Sequence, residues 1–369
     1  MEETVPAETP IEAKGSSRNT TLYFFEVLAC ILIVFIHSHF PGAFGDLVMP
    51  GVARFGVPLF FVVAGFYLIK PGMSKEELRL KLKKRIIHVL ILIALSAVIY
   101  FLVGIIQAKF GNNPEGIASY LQTTFSWKRI LRLVLLNGPL MSLPTWFLLA
   151  MFFSYVILYV FAKQILEYKW IAYSFALLLP FWIIFRTIAC LTNVSIGGYL
   201  LRDAQFYYNW LTNGLPFICL GIVLKRHEGF LKRIPVKWIL TVYFASFVLM
   251  TLEFCLLMNY LDIYMSYYPS HVMNVIAIVT LAVQKPDLFS KSRLLNAKGN
   301  FTAYVYIFHP AVIGVAAFVL NKAGISENVI ISWIRPLIVM LTSVAAALVF
   351  NWLVCLVKAK MASKKKQAV

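Results

Sequence analysis

The stretch FEVLACILIVFIHSHFPG (residues 25–42) sets a carboxylate and two histidines in an otherwise apolar run. The run reads as one membrane helix that ends before Pro41-Gly42, because the residue preceding a proline is pushed out of the helical region. A charge at the centre of such a helix costs roughly 2.5–3.5 kcal/mol on insertion scales, so Glu26 and His37 are expected to have a use. Eleven residues of α-helix advance about 16 Å and return to within about 20° of the same face. Glu26 and His37 therefore share one stripe at two depths and do not touch.

The whole chain repeats this apolar character. It has 369 residues, 60% hydrophobic and only 14% charged, against about a quarter charged in soluble domains. Apolar runs of bilayer-crossing length recur throughout. The pattern predicts an all-α, polytopic membrane bundle of about ten helices, at 21–40, 54–70, 84–108, 145–163, 170–191, 206–224, 237–259, 267–284, 301–321 and 331–357. Residues 1–19 read as an N-terminal tail, 20–357 as a single membrane domain and 358–369 as a basic tail, with no soluble domain. The net charge of +18 is concentrated at 70–85, 225–237, 285–298 and 358–366. With an internal N-terminus these clusters all fall on the cytoplasmic side, so both termini are expected there. The charge then marks topology, and a nucleic-acid partner is not needed. The first apolar run has no small-residue cleavage site after it and reads as an uncleaved anchor.

The five cysteines (Cys30, Cys190, Cys219, Cys255 and Cys355) lie inside predicted spans without metal-ligand spacing. They read as packing residues, and no metal site is expected. The long external segment 110–144 carries Asn112, Asn113, Pro114, Gly138 and Pro139 as turn residues. Within it SWKRILRLVLLNG (126–138) places Lys128, Arg129 and Arg132 on one side of an apolar helix, reading as an interfacial or re-entrant segment. Motifs of zinc proteases, hydrolase elbows and P-loop ATPases are missing from the sequence.

Placing polar residues by depth along each predicted span gives two layers. Glu26, His88 and His309 fall near the cytoplasmic face with Arg85 at the mouth. Near the outer face are His37, His39, Arg54, His271 and Glu253. Glu253 and His37 fall level, the arrangement in which a carboxylate orients a general base; the structural alternative is that each caps a polar pocket. His39 points away from His37 and reads as interfacial. Lys81, Lys83, Lys84 and Arg85 serve as a topology anchor or, equally, as a site for a phosphorylated ligand.

Taken in order, the first helix ending at His37, ARFGVPLFFVVAGFYL (53–68), the basic KKR (83–85), LPTWFLLAMFF with Trp146 (143–153), LPFICLGIVL with Gly221 (215–224) and TAYVYIFHP with His309 (302–310) resemble the bacterial acyltransferase family 3. The resemblance runs from about 18 to 355. Two positions depart from the family's pattern. Glu26 stands where a basic residue is usual, and His88 replaces the second arginine of an Arg-x-x-Arg whose first is Arg85. The resemblance implies a multi-pass enzyme of the bacterial plasma membrane, with no permanently bound cofactor. It would move an acyl group, usually acetyl, from cytoplasmic acyl-CoA to an envelope glycan or lipid-linked sugar. It supports His37 as general base, with Glu253 added from the level placement alone, and sets Arg85, His88, Lys84 and Glu26 on the donor side. Arg54, Trp146 and His309 are further pocket residues. The alternatives are a proton-coupled or glycan transporter and a catalytically divergent membrane subunit.

Overall fold

The computed structural model describes residues 18–111, 116–138, 141, 143–196, 199–203, 206–261, 266–292, 295 and 301–367. The tail up to Ser17 and the turn residues Asn112, Asn113, Pro114 and Pro139 lie outside the described residues. The elements are α1 (Thr20–Ser38), a π-turn (Phe44–Val48) running into α2 (Met49–Ala53), α3 (Gly56–Phe66), α4 (Lys75–Phe110), α5 (Ile117–Thr124), α6 (Trp127–Leu136), α7 (Trp146–Val160), α8 (Ala162–Glu167) and α9 (Lys169–Thr192). A two-residue antiparallel ladder (β1, Ser195–Ile196; β2, Tyr199–Leu200) interrupts them. A second π-turn (Trp210–Gly214) leads into α10 (Leu215–Arg226), followed by α11 (Glu228–Leu231), α12 (Val236–Leu261), α13 (Pro269–Gln284), α14 (Phe301–Lys322) and α15 (Val329–Gln367).

The architecture is all-helical, as the apolar runs predict. Among the described residues, seven helices are long and apolar enough to cross a membrane: Thr20–Ser38, Phe44–Phe66, Lys75–Phe110, Lys169–Thr192, Val236–Met258, Phe301–Lys322 and Val329–Met361. The other three expected spans coincide with α7, α10 and α13, which have 15, 12 and 16 residues. Each begins inside the bundle behind a break: Pro144 before α7, the π-turn before α10, and Pro269 at the first position of α13. Their shortness matters for the site, because their N-terminal ends meet around one pocket.

Local chemistry fixes the longer elements. The 36 residues of α4 make a rod of about 54 Å, whose first turns carry the basic run. Its start is a reciprocal capping box. Ser74 Oγ accepts from the Glu77 N–H at 3.1 Å and the Glu77 carboxylate accepts from the Ser74 N–H at 2.8 Å. The first turn of α1 is stitched to the last turn of α13: Asn19 Nδ2 donates to the Ala282 carbonyl at 2.8 Å and the Thr21 N–H to that of Pro286 at 3.1 Å. α3 and α10 meet backbone to backbone. A Cβ on Gly65 would fall 1.9 Å from the Ile218 carbonyl oxygen, and one on Gly221 2.0 Å from that of Val62. Such small-residue crossings let membrane helices gain dispersion contacts where the solvent offers no hydrophobic drive.

α1 and α14 run parallel and offset. Cys30 Sγ lies 3.4 Å from the Thr302 carbonyl oxygen, so the second residue of α14 is level with the middle of α1. Seven residues further along both helices, His37 and His309 become neighbours.

Candidate active site

His37, in the last turn of α1, lines a small pocket of ≈100 Å³ with Ile33, Ala53, Arg54, Trp146, Tyr208, Asn213 and Ser266. The pocket is a meeting of helix ends. α1 contributes its C-terminal turn, while Trp146 opens α7, Asn213 lies in the turn feeding α10, and Ser266 lies in the segment leading into α13. Helix N-termini carry partial positive charge, and Arg54, 8% exposed with its guanidinium 4.9 Å from the Phe254 ring centre, adds a full one. Trp146 and Tyr208 pack at 4.9 Å to form one wall. The arrangement suits chemistry in which negative charge develops beside a histidine.

His309 belongs to this end of the molecule, which corrects the sequence reading that set it in the opposite layer with Glu26 and His88. Its ring centre lies 5.4 Å from that of His37, with planes 27° apart, and 5.6 Å from that of Tyr306. The depth count fails because it assumes that α1 and α14 start level, and they do not. Pro310 lacks the N–H that would bond the Tyr306 carbonyl, so the helix is locally short of one donor. His309 Nδ1–H donates to the Val305 carbonyl at 3.3 Å. That bond fixes the proton on Nδ1 and leaves Nε2 as an acceptor, fully buried and without a hydrogen-bond partner among the described residues.

Glu253 is used elsewhere. Its carboxylate accepts from the Ser270 backbone N–H at 3.2 Å and from the Ser270 hydroxyl. A carboxylate at the first turn of α13 satisfies amides that a helix leaves unbonded. Glu253 is not among the residues of the His37 pocket, so the level placement read from sequence brings no contact between them. His271, fully buried, accepts from the Tyr268 N–H at Nδ1 (3.1 Å) and donates from Nε2 to the Gly51 carbonyl (2.9 Å). Glu253 and His271 together hold α2, α12 and α13 behind the pocket. His39 is exposed, at φ 29° just past α1, with its carbonyl facing Arg335.

The other polar end of α1 opens on a larger cavity of ≈530 Å³, lined by Arg18, Glu26, Tyr67, Lys225, Glu228 and Lys232 among others. Arg85, Lys84 and His88 are not among its lining residues. Arg85 instead closes the end of α3: Nη1 donates to the Ala64 carbonyl at 2.6 Å and Nη2 to that of Tyr67 at 3.3 Å. Lys81 Nζ adds a 2.5 Å bond to the same Tyr67 carbonyl. These are the orphan carbonyls of a helix C-terminus, which cations satisfy well. Lys84 and His88 are exposed on α4. The cation acting on Glu26 is Arg18.

Lys225 bonds the Glu228 carboxylate, and Lys232 Nζ lies 3.0 Å from its other oxygen. The Lys225 bond holds the Glu228 carboxyl below the usual range. Sequence reading took the 225–237 cluster only as a topology marker, and missed Tyr208, Asn213 and Ser266 altogether. The signal was present in the polar Asn209 and Asn213 inside an apolar run, and in Lys225 and Lys232 seven residues apart, two turns along one side.

The two cavities lie at opposite ends of the same pair of helices, α1 and α3. Between them Ala29, Cys30, Leu59 and Val62 are all at most 2% exposed. The fold and these two facing sites define a multi-pass membrane protein with a histidine centre at one end and a basic vestibule at the other. Its sequence matches a family model described as an acyltransferase domain over residues 22–352. The chain belongs to acyltransferase family 3 and is an enzyme that transfers acyl groups. No curated protein and no solved structure matches the chain.

Proposed function

We propose that the protein is an O-acyltransferase of the bacterial plasma membrane that takes an acyl group, acetyl in the simplest case, from cytoplasmic acyl-CoA. It delivers that group to a hydroxyl of an envelope glycan or lipid-linked sugar on the far side. The observation that carries this reading is the pair of cavities at the two ends of α1. The basic vestibule, three cations around two carboxylates, suits the phosphates of a nucleotide thioester. The His37 pocket suits a neutral acceptor hydroxyl and a developing oxyanion. Arg18, Lys225 and Lys232 replace Arg85, Lys84 and His88 as the donor-binding cations in this reading, and Glu26 stays at the donor side.

His37 takes the proton of the acceptor hydroxyl, whose oxygen attacks the thioester carbonyl carbon. The carbonyl oxygen becomes an oxyanion facing Arg54 and the helix ends. Collapse of the adduct breaks the carbon–sulfur bond, the new ester forms, and the thiolate leaves with the proton held by His37. His309 acts as a positioning residue, since a neutral imidazole stacked on His37 steers it, whereas two imidazolium rings at that spacing would repel each other. To reach the pocket, the donor's thin arm has to pass the buried residues Ala29 and Leu59 between the two cavities.

The test is a comparison of envelope glycans from cells with and without the gene by mass spectrometry, beside thiol release from acetyl-CoA by the purified protein in vesicles. Loss of one acyl mass in the cells, and thiol release that requires a glycan extract, support the reading. Glycan uptake into vesicles without thiol release would replace it with transport.

A further inference from the structure

We propose that α6 is a docking strap for an anionic lipid leaflet and that Asn137 ties this docking to the wall of the His37 pocket. α6 has ten residues and none is buried. At about 15 Å it is half the length needed to cross a bilayer. Trp127, Ile130, Leu131 and Val134 fall on one side at helical spacing, with Trp127 72% and Val134 63% exposed. Lys128, Arg129 and Arg132 occupy the opposite flank, and no acidic residue occurs from 116 to 138. An apolar stripe bordered only by cations fits a leaflet whose headgroups are negative; it fits neither water nor an acidic protein groove that would have to bury Trp127.

The strap is fastened at its end. Asn137 takes a left-handed conformation (φ 44°), returns its N–H to the Arg132 carbonyl, and is 1% exposed. Its Oδ1 accepts from the Trp210 N–H at 2.9 Å, and its Nδ2 donates to the Tyr208 carbonyl at 3.4 Å. Tyr208 packs on Trp146, and both face the pocket. A shift of α6 on the leaflet is therefore passed through one side chain to Tyr208. That second half rests on the reading of the His37 pocket as the acceptor site, while the docking itself does not.

The experiment uses the full chain with Cys355→Ser and Val134→Cys, labelled with an environment-sensitive dye, in vesicles of phosphatidylcholine alone or mixed with phosphatidylglycerol. The dye is expected to enter lipid, more completely with phosphatidylglycerol. Lys128→Gln and Arg132→Gln should each lower the docked-to-undocked ratio about fivefold in the anionic vesicles. Dye that stays open to a water-soluble quencher in both vesicles overturns docking, and docking indifferent to phosphatidylglycerol overturns the anionic preference. Displacement by inorganic phosphate would mean a phosphate site in place of a leaflet. Hydrogen exchange of residues 207–213 reads the coupling. Slower exchange in anionic vesicles, lost in Asn137→Ala while the dye stays docked, supports it; identical exchange in both vesicles overturns it. No readout needs acyl transfer, so failure of the strap and failure of the enzymatic reading are separable.

Discussion

His37 and His309 face each other across the α1–α14 interface with ring centres 5.4 Å apart, although 271 positions separate them in the chain. One helix presents its histidine in its last turn and the other in its first half, yet the offset of the two helices makes them level. His37→Ala should lower acyl transfer by about 10²–10⁴-fold, the range of a positioned general base, with the protein still inserted. His309→Ala should lower turnover with donor affinity unchanged, and His309→Phe, which keeps a ring against His37, should recover part of the loss. Turnover and donor binding measured on the same membranes decide this; equal loss in both His309 variants would remove the stacking role.

Glu253 supports α13, so its loss should be felt as stability. Glu253→Ala leaves the Ser270 N–H without its acceptor, at a cost of about 1–3 kcal/mol, while Glu253→Gln keeps an oxygen for it and should be mild. Thermal unfolding in detergent, with turnover per folded molecule, checks both. A turnover defect in a fully stable Glu253→Gln protein would return the residue to the chemistry.

The donor vestibule predicts a division among the basic residues. Arg18→Gln and Lys232→Gln should each weaken acyl-CoA binding severalfold and flatten its salt dependence, since fewer cations meet the phosphates. Arg85→Gln should instead destabilise the protein, because the Ala64 carbonyl loses its Arg85 donor and that of Tyr67 is left with Lys81. Calorimetric titration with CoA beside melting curves distinguishes the two patterns, and wild-type CoA affinity in Arg18→Gln would refute the vestibule.

Glu228 gives a pH signature. Its folded pKa lies below the ordinary 4.5, first because of the Lys225 hydrogen bond and then because of Lys232. A depressed carboxylate contributes stability above its unfolded pKa and loses it as pH falls through the folded one. The Lys225–Glu228–Lys232 cluster is thus complete at neutral pH and releases its lysines only in acid below 4.5. Glu228→Gln removes a competing anion and should tighten CoA binding severalfold at pH 7. Unchanged or weaker binding would mean that Glu228 orders the lysines for the donor.

Much of the fold was legible because bilayer burial writes itself into composition: all ten expected spans carry helices, and α1 ends at Ser38, before Pro41 as read. Depth was not legible. A hydropathy window marks where a helix is apolar, and it cannot know that α14 starts level with Cys30 or that α7, α10 and α13 begin inside the bundle. Arg85 was read as a ligand-binding cation because sequence cannot show the free carbonyls of α3 beneath it. Arg18 and Lys232, more than two hundred positions apart, become partners only once α1 is stitched to α13.

The backbone contact at Gly65 and Gly221 also sets an order of events during synthesis. α3 leaves the ribosome about 150 residues before α10, and until then its bare glycine groove faces lipid or an improvised neighbour. The bundle can close only when α10 arrives, so a chain cut before Leu215 should stay loosely assembled and protease-sensitive however well its early helices insert. Gly221→Leu should give the full-length chain the same immature behaviour. The crossing of two glycines is thereby a clock for assembly, with α10 as the late piece that seats α3.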